Sequence, residues 1–234
     1  MESLNTPYRA VVIGATGGLG AAFVEHLEQD PNCAQVVGLG RQSTPPVDLL
    51  DEASIEQAAI WLREQAKEWD LILDATGILN IDGNGPEKRL REINPAIMAQ
   101  SFAINAIGPA LLFKHLAPLL PRNHKGVLAT LSARVGSIED NHLGGWISYR
   151  ASKAALNQIV RTTALELRFS HRQAVVIALQ PGTVATSLSE PYRARAPEVL
   201  TPAYSTGELL KVLDKRNAED SGRLYDFEGQ RLPF

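Results

Sequence analysis

Gly14-Ala15-Thr16-Gly17-Gly18-Leu19-Gly20 is the stretch on which the reading of this chain turns. The apolar run at 10–13 before it, Ala-Val-Val-Ile, reads as a buried strand. The segment 17–29 carries Leu19, Phe23, Val24 and Leu27 at helical spacing. Glycines at 14, 18 and 20 permit a tight turn and a close backbone approach. The helix that follows offers unpaired N–H groups and the positive end of its dipole, a combination suited to a pyrophosphate. Three glycines spaced G-x3-G-x-G are a weak signal alone, and a plain glycine-rich turn is the competing reading. Their place at the first strand-to-helix turn is what gives them weight.

The same alternation continues downstream. Strands are expected at 35–39, 47–50, 70–75, 126–131, 174–179 and 224–227, and helices at 52–69, 148–169 and 203–213. The run 95–120 reads as a long apolar helix, broken or kinked at Gly108-Pro109. Strands alternating with helices imply an α/β chain with a parallel sheet covered on both faces. No linker, repeat or low-complexity segment divides it, so residues 1–234 read as a single domain. Arg41 and Asp48 are so close that the helix expected between the second and third strands is lost or reduced to a turn.

Composition narrows the function classes. Apolar residues make up 44% and charged residues 21%, an ordinary globular balance. Lys plus Arg number 23 against 26 Asp plus Glu, so the net charge of −3 argues against nucleic acid as the main partner. The single cysteine, Cys33, excludes an intramolecular disulfide framework and a Cys-rich zinc site, and the five scattered histidines give a metal no support. No basic region opens the chain, and no stretch is read as reaching the roughly 20 apolar residues of a membrane span. The expectation is a cytoplasmic protein without a membrane partner.

Tyr149 and Lys153 are four residues apart and so share one face of the helix at 148–169. A nearby ammonium favours a phenolate, so the pair could exchange a proton with a substrate. An exposed Tyr and Lys on an amphipathic helix is the competing reading. Other motifs stand in order along the chain: Asp74-Ala75-Thr76-Gly77, Asn105 within Phe102-Ala103-Ile104-Asn105-Ala106, and Pro181-Gly182-Thr183-Val184-Ala185-Thr186.

Together with the glycine loop and Tyr149-x3-Lys153, these resemble the motifs of short-chain dehydrogenases/reductases over nearly the whole chain. Ser132-Ala133-Arg134-Val135-Gly136-Ser137 and Asp226-Phe227-Glu228-Gly229 are similar to its C-factor-like and sniffer-type carbonyl reductase branch. The resemblance implies a Rossmann-like, doubly wound parallel sheet and a nicotinamide cofactor. It puts Gly14, Thr16, Gly17, Gly18, Leu19, Gly20, Ala75, Thr76, Gly77, Pro181, Gly182, Thr183, Val184 and Thr186 against that cofactor, with Asp48 at the adenine amino group and Leu49 beside it. It makes Tyr149 the proton donor, gives Lys153 a ribose contact, and has Asn105 hold a water in a proton relay.

The chain departs from the family pattern where the catalytic serine is expected, because Ala133 occupies that place. Ser132 or Ser137 could supply the hydroxyl if the loop shifts, or the site lacks it; Ser132 is the preferred candidate. At the end of the second strand stands Arg41 rather than the acidic residue that binds an NAD ribose, which favours NADP(H). Segments 78–94, 134–147 and 184–201 should frame the substrate with Ile78, Val135, His142, Trp146, Leu188 and Tyr192, a lining suited to a small neutral carbonyl or alcohol. Arg134, Arg193 and Arg195 could instead attract an anion, though solvated loop charges are the plainer reading. The leading expectation is an NADP(H)-dependent carbonyl reductase or alcohol dehydrogenase; the alternative is a nucleotide-binding signalling or sensor protein of the same fold. Apolar faces on the helices at 95–120 and 148–169, including Phe102, Ala151 and Ala155, lead to the expectation of a homo-oligomer, a homodimer before a tetramer.

Overall fold

Along β1 (Tyr8–Ile13), Ala10 and Val12 face one side while Val11 and Ile13 face the other, and all four are buried. A strand apolar on both faces must lie inside a two-sided sheet. The computed structural model describes residues 1–234, with Arg195 described through its backbone alone. Around β1 are assembled β2 (Cys33–Leu39), β3 (Leu71–Asp74), β4 (Gly126–Leu131), β5 (Ala174–Gln180), β6 (Arg223–Asp226) and β7 (Arg231–Leu232). Their order is β2-β1-β3-β4-β5-β6-β7, parallel throughout except for β7, which runs antiparallel to β6. This is the doubly wound, Rossmann-like sheet expected from the sequence; β7 was not.

One face is covered by α1 (Gly18–Gln29) and α6 (Pro202–Lys215), with Phe23, Leu27, Leu209 and Leu213 against Val12, Leu73 and Ile177. The other carries α2 (Glu52–Gln65), α4 (Gly108–Leu116) and α5 (Ile147–Leu167), with Ile55, Leu62, Leu112, Leu156 and Val160 against Ile13, Ile72 and Leu128. α2 ends at Gln65, short of the expected residue 69. Trp69 instead turns into the core and donates its indole N–H to Leu62 O at 3.1 Å.

The expected strand at 47–50 does not form. Pro45 and Pro46 have no N–H to give a sheet, Val47 N bonds back to Gly40 O at 2.9 Å, and Leu50 N is taken by the Asp48 carboxylate at 3.0 Å. Asp51 then caps α2 by accepting from Ala53 N. The shortening is therefore greater than expected: strand and helix are both missing, and β2 becomes the sheet edge.

The apolar run contains α3 (Pro95–Phe102), a wide turn at Ala103–Ile107, and α4. Gly108 N bonds five residues back to Ala103 O, and Pro109 has no N–H to offer Asn105 O. The expected break thus falls just before Gly108-Pro109 and does not end the helix. The stretch Pro95–Leu119 spans 25 residues, with an 18-residue window of mean hydropathy 1.5. By length and composition it could cross a membrane, contrary to the expectation from the sequence. Here Leu112, Phe113 and Leu116 are packed in the core instead.

Candidate active site

The glycine loop folds tightly over the C-terminal end of β1. Gly14 has φ +80°, a conformation side chains rarely adopt, and its N–H and that of Ala15 both bond to Leu39 O. A Cβ on Gly20 would lie 2.1 Å from Gly14 O, so only glycine lets the loop close on the helix start. α1 begins with no side-chain cap, which leaves its first N–H groups facing the loop.

A trough of about 330 Å³ starts here, lined by Gly14, Thr16, Gly17, Arg41, Asp48 and Leu49, with Ala75, Thr76 and Gly77 on its far wall. A second space of about 480 Å³ shares Arg41 and Gly17 with it and continues along Gly18, Leu19, Pro181 and Thr186 to Tyr149 and Lys153. Gly18 touches Thr186, since a Cβ there would meet its Cγ2 at 2.7 Å. Gly182, Thr183 and Val184 line a third, adjoining cavity, and Gly20 packs beneath the loop. Arg41 is exposed where the two spaces meet.

Lys153 is 3% exposed; its Nζ lies 5.9 Å from the Tyr149 ring centre and donates to Leu131 O at 2.8 Å. Burial pulls Lys153 down to about 8, while the Asp74 charge draws it back up. Burial pushes Tyr149 up to about 12, so its phenol is protonated at neutral pH. The lowering expected from a neighbouring ammonium is not what sets Tyr149: burial does, and the Lys153 Nζ makes its hydrogen bond to Leu131 O and not to the phenol. Asp74 is buried; it accepts from Thr76 N, Thr76 Oγ1 and Thr130 Oγ1 at 3.0, 2.6 and 2.6 Å. Burial raises its carboxyl in spite of those bonds and of the Lys153 charge.

Asn105 sits in the wide turn, fully buried. Its Oδ1 accepts from Ile78 N at 2.8 Å, and its Nδ2 donates to Ile78 O at 2.9 Å and to the hydroxyls of Ser101 and Ser152. Ser152 in turn donates to Tyr149 O at 2.8 Å. Asn105 therefore joins the start of the 78–94 loop to the helix carrying Tyr149 and Lys153.

Ser132 is buried beside the site, and its hydroxyl donates to Asn157 Oδ1 at 2.6 Å. Asn157 is held through its Nδ2 on Gly136 O. Ser137 is buried away from Tyr149, its Oγ accepting from Asp140 N. Ser132 and Ala133 both line the cavity next to Tyr149, Ala133 in extended backbone with φ −154°. The Ser132 hydroxyl is engaged by Asn157, and Ser137 lines neither space at Tyr149.

That cavity has a volume of about 610 Å³ and is walled by Val135, Trp146, Leu188 and Tyr192, with Lys88 and Arg134 among its polar lining. The rings of Trp146 and Tyr192 meet edge to face at 5.0 Å, and Tyr192 donates its hydroxyl to Asn80. Ile78 lines the trough side, while His142 is exposed and lies outside both linings. Arg134 pairs with Asp140 at 2.5 Å, and Arg193 bonds to Thr186 O and the Ser189 hydroxyl, so both are tied to the loops themselves. The side chain of Arg195 lies outside the described residues. Asn157 and Glu87, which hold the loop after β4 and the start of α5, carry no motif that a sequence could reveal.

A family profile described as short chain dehydrogenase matches residues 8–197. The chain is 36% identical over 146 residues to the protein named C-signal of Myxococcus xanthus, covering 62% of this chain and 83% of that one. It is 30% identical over 205 residues to a 1-hydroxy-2-glutathionyl-2-methyl-3-butene dehydrogenase of Rhodococcus sp. (strain AD45), covering 86% and 84%. Among solved structures, the NADPH-bound carbonyl reductase from chicken fatty liver superposes with a TM-score of 0.86 at 26% identity, over 100% of this chain and 97% of that one.

Proposed function

The chain belongs to the short-chain dehydrogenase family, and on that premise we propose that it is an NADP(H)-dependent oxidoreductase interconverting a carbonyl and an alcohol. The observation that carries this reading is the position of Tyr149 at the junction of the space behind the glycine loop and the cavity walled by Trp146 and Tyr192, with Lys153 beside it on the glycine-loop side. The trough and the space that continues it fit a dinucleotide: together they are long, they pass a loop that a side chain at Gly20 would block, and they share an exposed arginine. The NADPH-bound carbonyl reductase of the same fold adds support for that cofactor.

When bound, the nicotinamide supplies or accepts the hydride. Tyr149, protonated at neutral pH, gives its phenolic proton to the carbonyl oxygen of a substrate resting in the cavity. The oxyanion left on Tyr149 is stabilised by the Lys153 ammonium. Asn105 and Ser152 hold the two chain segments that meet at this point. Trp146, Leu188 and Tyr192 exclude water and suit an apolar or aromatic carbonyl compound. The exposed Arg41 suits a 2′-phosphate.

Ala133 favours a second reading, a nucleotide-binding signalling or sensor protein with little turnover, because it leaves the carbonyl oxygen with one donor fewer. Purified protein titrated with NADPH and then given a panel of ketones, aldehydes and quinones separates the two. Cofactor consumption that disappears in Tyr149→Phe supports the oxidoreductase; tight NADPH binding with no turnover in either direction supports the sensor. For the assembled state we propose a homodimer through the outer faces of the 95–120 run and α5, where Ile107 of the wide turn and Leu165 are exposed. A mass of one chain by light scattering, unchanged with concentration, overturns it.

A further inference from the structure

α5 begins without a cap of its own. Trp146, just before its first residue, is left-handed with φ 53° and ψ 42°, makes no capping bond, and is followed by a first turn with no acidic residue. The first N–H groups of a helix need acceptors. Here the acceptors come from a residue 61 positions upstream. Glu87, 6% exposed, accepts from Ser148 N at 3.1 Å through Oε2 and from the Ser148 hydroxyl through Oε1. Its main-chain carbonyl accepts from Trp146 N at 2.5 Å. The carboxylate faces the positive end of the helix dipole. Burial works against its charge, but the Ser148 hydroxyl and amide prevail and keep its carboxyl below the usual range.

The residue after Ser148 is Tyr149, and Lys153 follows one turn later. Whatever fixes the depth and rotation of the first turn of α5 fixes the phenol. Glu87 belongs to the opposite wall of the substrate cavity: its neighbours Gly85, Pro86 and Lys88 line that cavity together with Trp146 and Tyr149. Three hydrogen bonds from one buried residue thus join the loop that faces the substrate to the helix that carries the proton donor.

Resting on the oxidoreductase reading, we propose that Glu87 is a positioning residue for the reaction: it caps α5 from the 78–94 loop and so holds the Tyr149 hydroxyl at the substrate cavity. The cofactor trough lies on the other side of Tyr149 and does not involve it. Loss of Glu87 should therefore act on turnover and leave cofactor binding alone.

The test compares Glu87→Ala, Glu87→Gln and Ser148→Ala in the full chain. Glutamine keeps an oxygen that can accept from Ser148 N. Small misplacements of a reacting group cost much in rate, so Glu87→Ala should lower kcat roughly tenfold or more while the Kd for NADPH stays within about twofold. Glu87→Gln should recover most of the loss, and the double variant with Ser148→Ala should be no worse than Glu87→Ala alone. Amide exchange at 147–150 should quicken in Glu87→Ala. Wild-type turnover in Glu87→Ala overturns the proposal, as does an equal loss of turnover and NADPH affinity without recovery in Glu87→Gln. Native protein without turnover would sink the oxidoreductase reading, whereas unchanged exchange at 147–150 in Glu87→Ala sinks the clamp whether or not the protein turns over.

Discussion

Lys153 and Tyr149 stand one helical turn apart, with the Lys153 Nζ 5.9 Å from the centre of the Tyr149 ring and hydrogen-bonded to Leu131 O rather than to the phenol. The ammonium is near enough to stabilise a phenolate once it forms and far enough to leave the phenol protonated beforehand. That order of events suits a group that must give up a proton and later regain it.

Tyr149→Phe should lower carbonyl reduction by about 10²–10⁴-fold, the usual weight of general acid catalysis, with NADPH binding nearly intact. The ring and its edge contact with Trp146 remain, and only the proton is lost. Lys153→Ala should damage turnover and cofactor affinity together. Steady-state rates and fluorescence titration of NADPH check both; a Phe variant retaining most of its turnover places the proton donor elsewhere.

Reduction should slow as pH rises through about 8, where the buried Lys153 loses its charge. The unfolded chain keeps that proton to about 10.5, so between the two values the unfolded state binds more protons at this group and its contribution to stability rises with pH. Urea unfolding of native protein and Lys153→Met at pH 7.5 and 9.5 reads it: native protein should gain on the variant at the higher pH.

Arg41→Ala should erase most of a preference for NADPH over NADH. A hydrogen bond to a charged group is worth about 1.5–3 kcal/mol, roughly ten- to more than a hundredfold in Kd. Equal dissociation constants for the two cofactors in the native protein contradict the assignment.

Ala133→Ser should raise turnover by roughly tenfold or more, since a hydroxyl would then face the cavity beside Tyr149, where a second donor can stabilise the developing oxyanion. Ser132→Ala should act mainly on the fold: it strips the donor from Asn157 Oδ1 and should cost about 1–3 kcal/mol in denaturant unfolding. A Ser132→Ala protein that keeps its stability but loses turnover returns the catalytic hydroxyl to Ser132.

What the sequence determined by itself was local or periodic. The alternation of apolar runs with amphipathic helices, the glycine turn after 10–13, and the i, i+4 spacing of Tyr149 and Lys153 all depend on neighbours along the chain, and each is visible there. Apolarity of 47–50 was visible too, but not that Val47 N would be captured by Gly40 O between two prolines and the Asp48 turn, which removed a strand from the sheet. Apolarity also made 95–119 long enough for a membrane span, and only the packing of Leu112, Phe113 and Leu116 against the sheet put it in a core. Tertiary structure alone decided the direction of the serine hydroxyls. Ser132 and Ala133 both line the cavity, but the Ser132 hydroxyl is spent on Asn157 Oδ1, a partner 25 residues away that no spacing in the chain announces. It also decided that Glu87 caps a helix beginning 60 residues later, because a buried carboxylate finds its donors by proximity in space, for which no spacing in the chain is a sign.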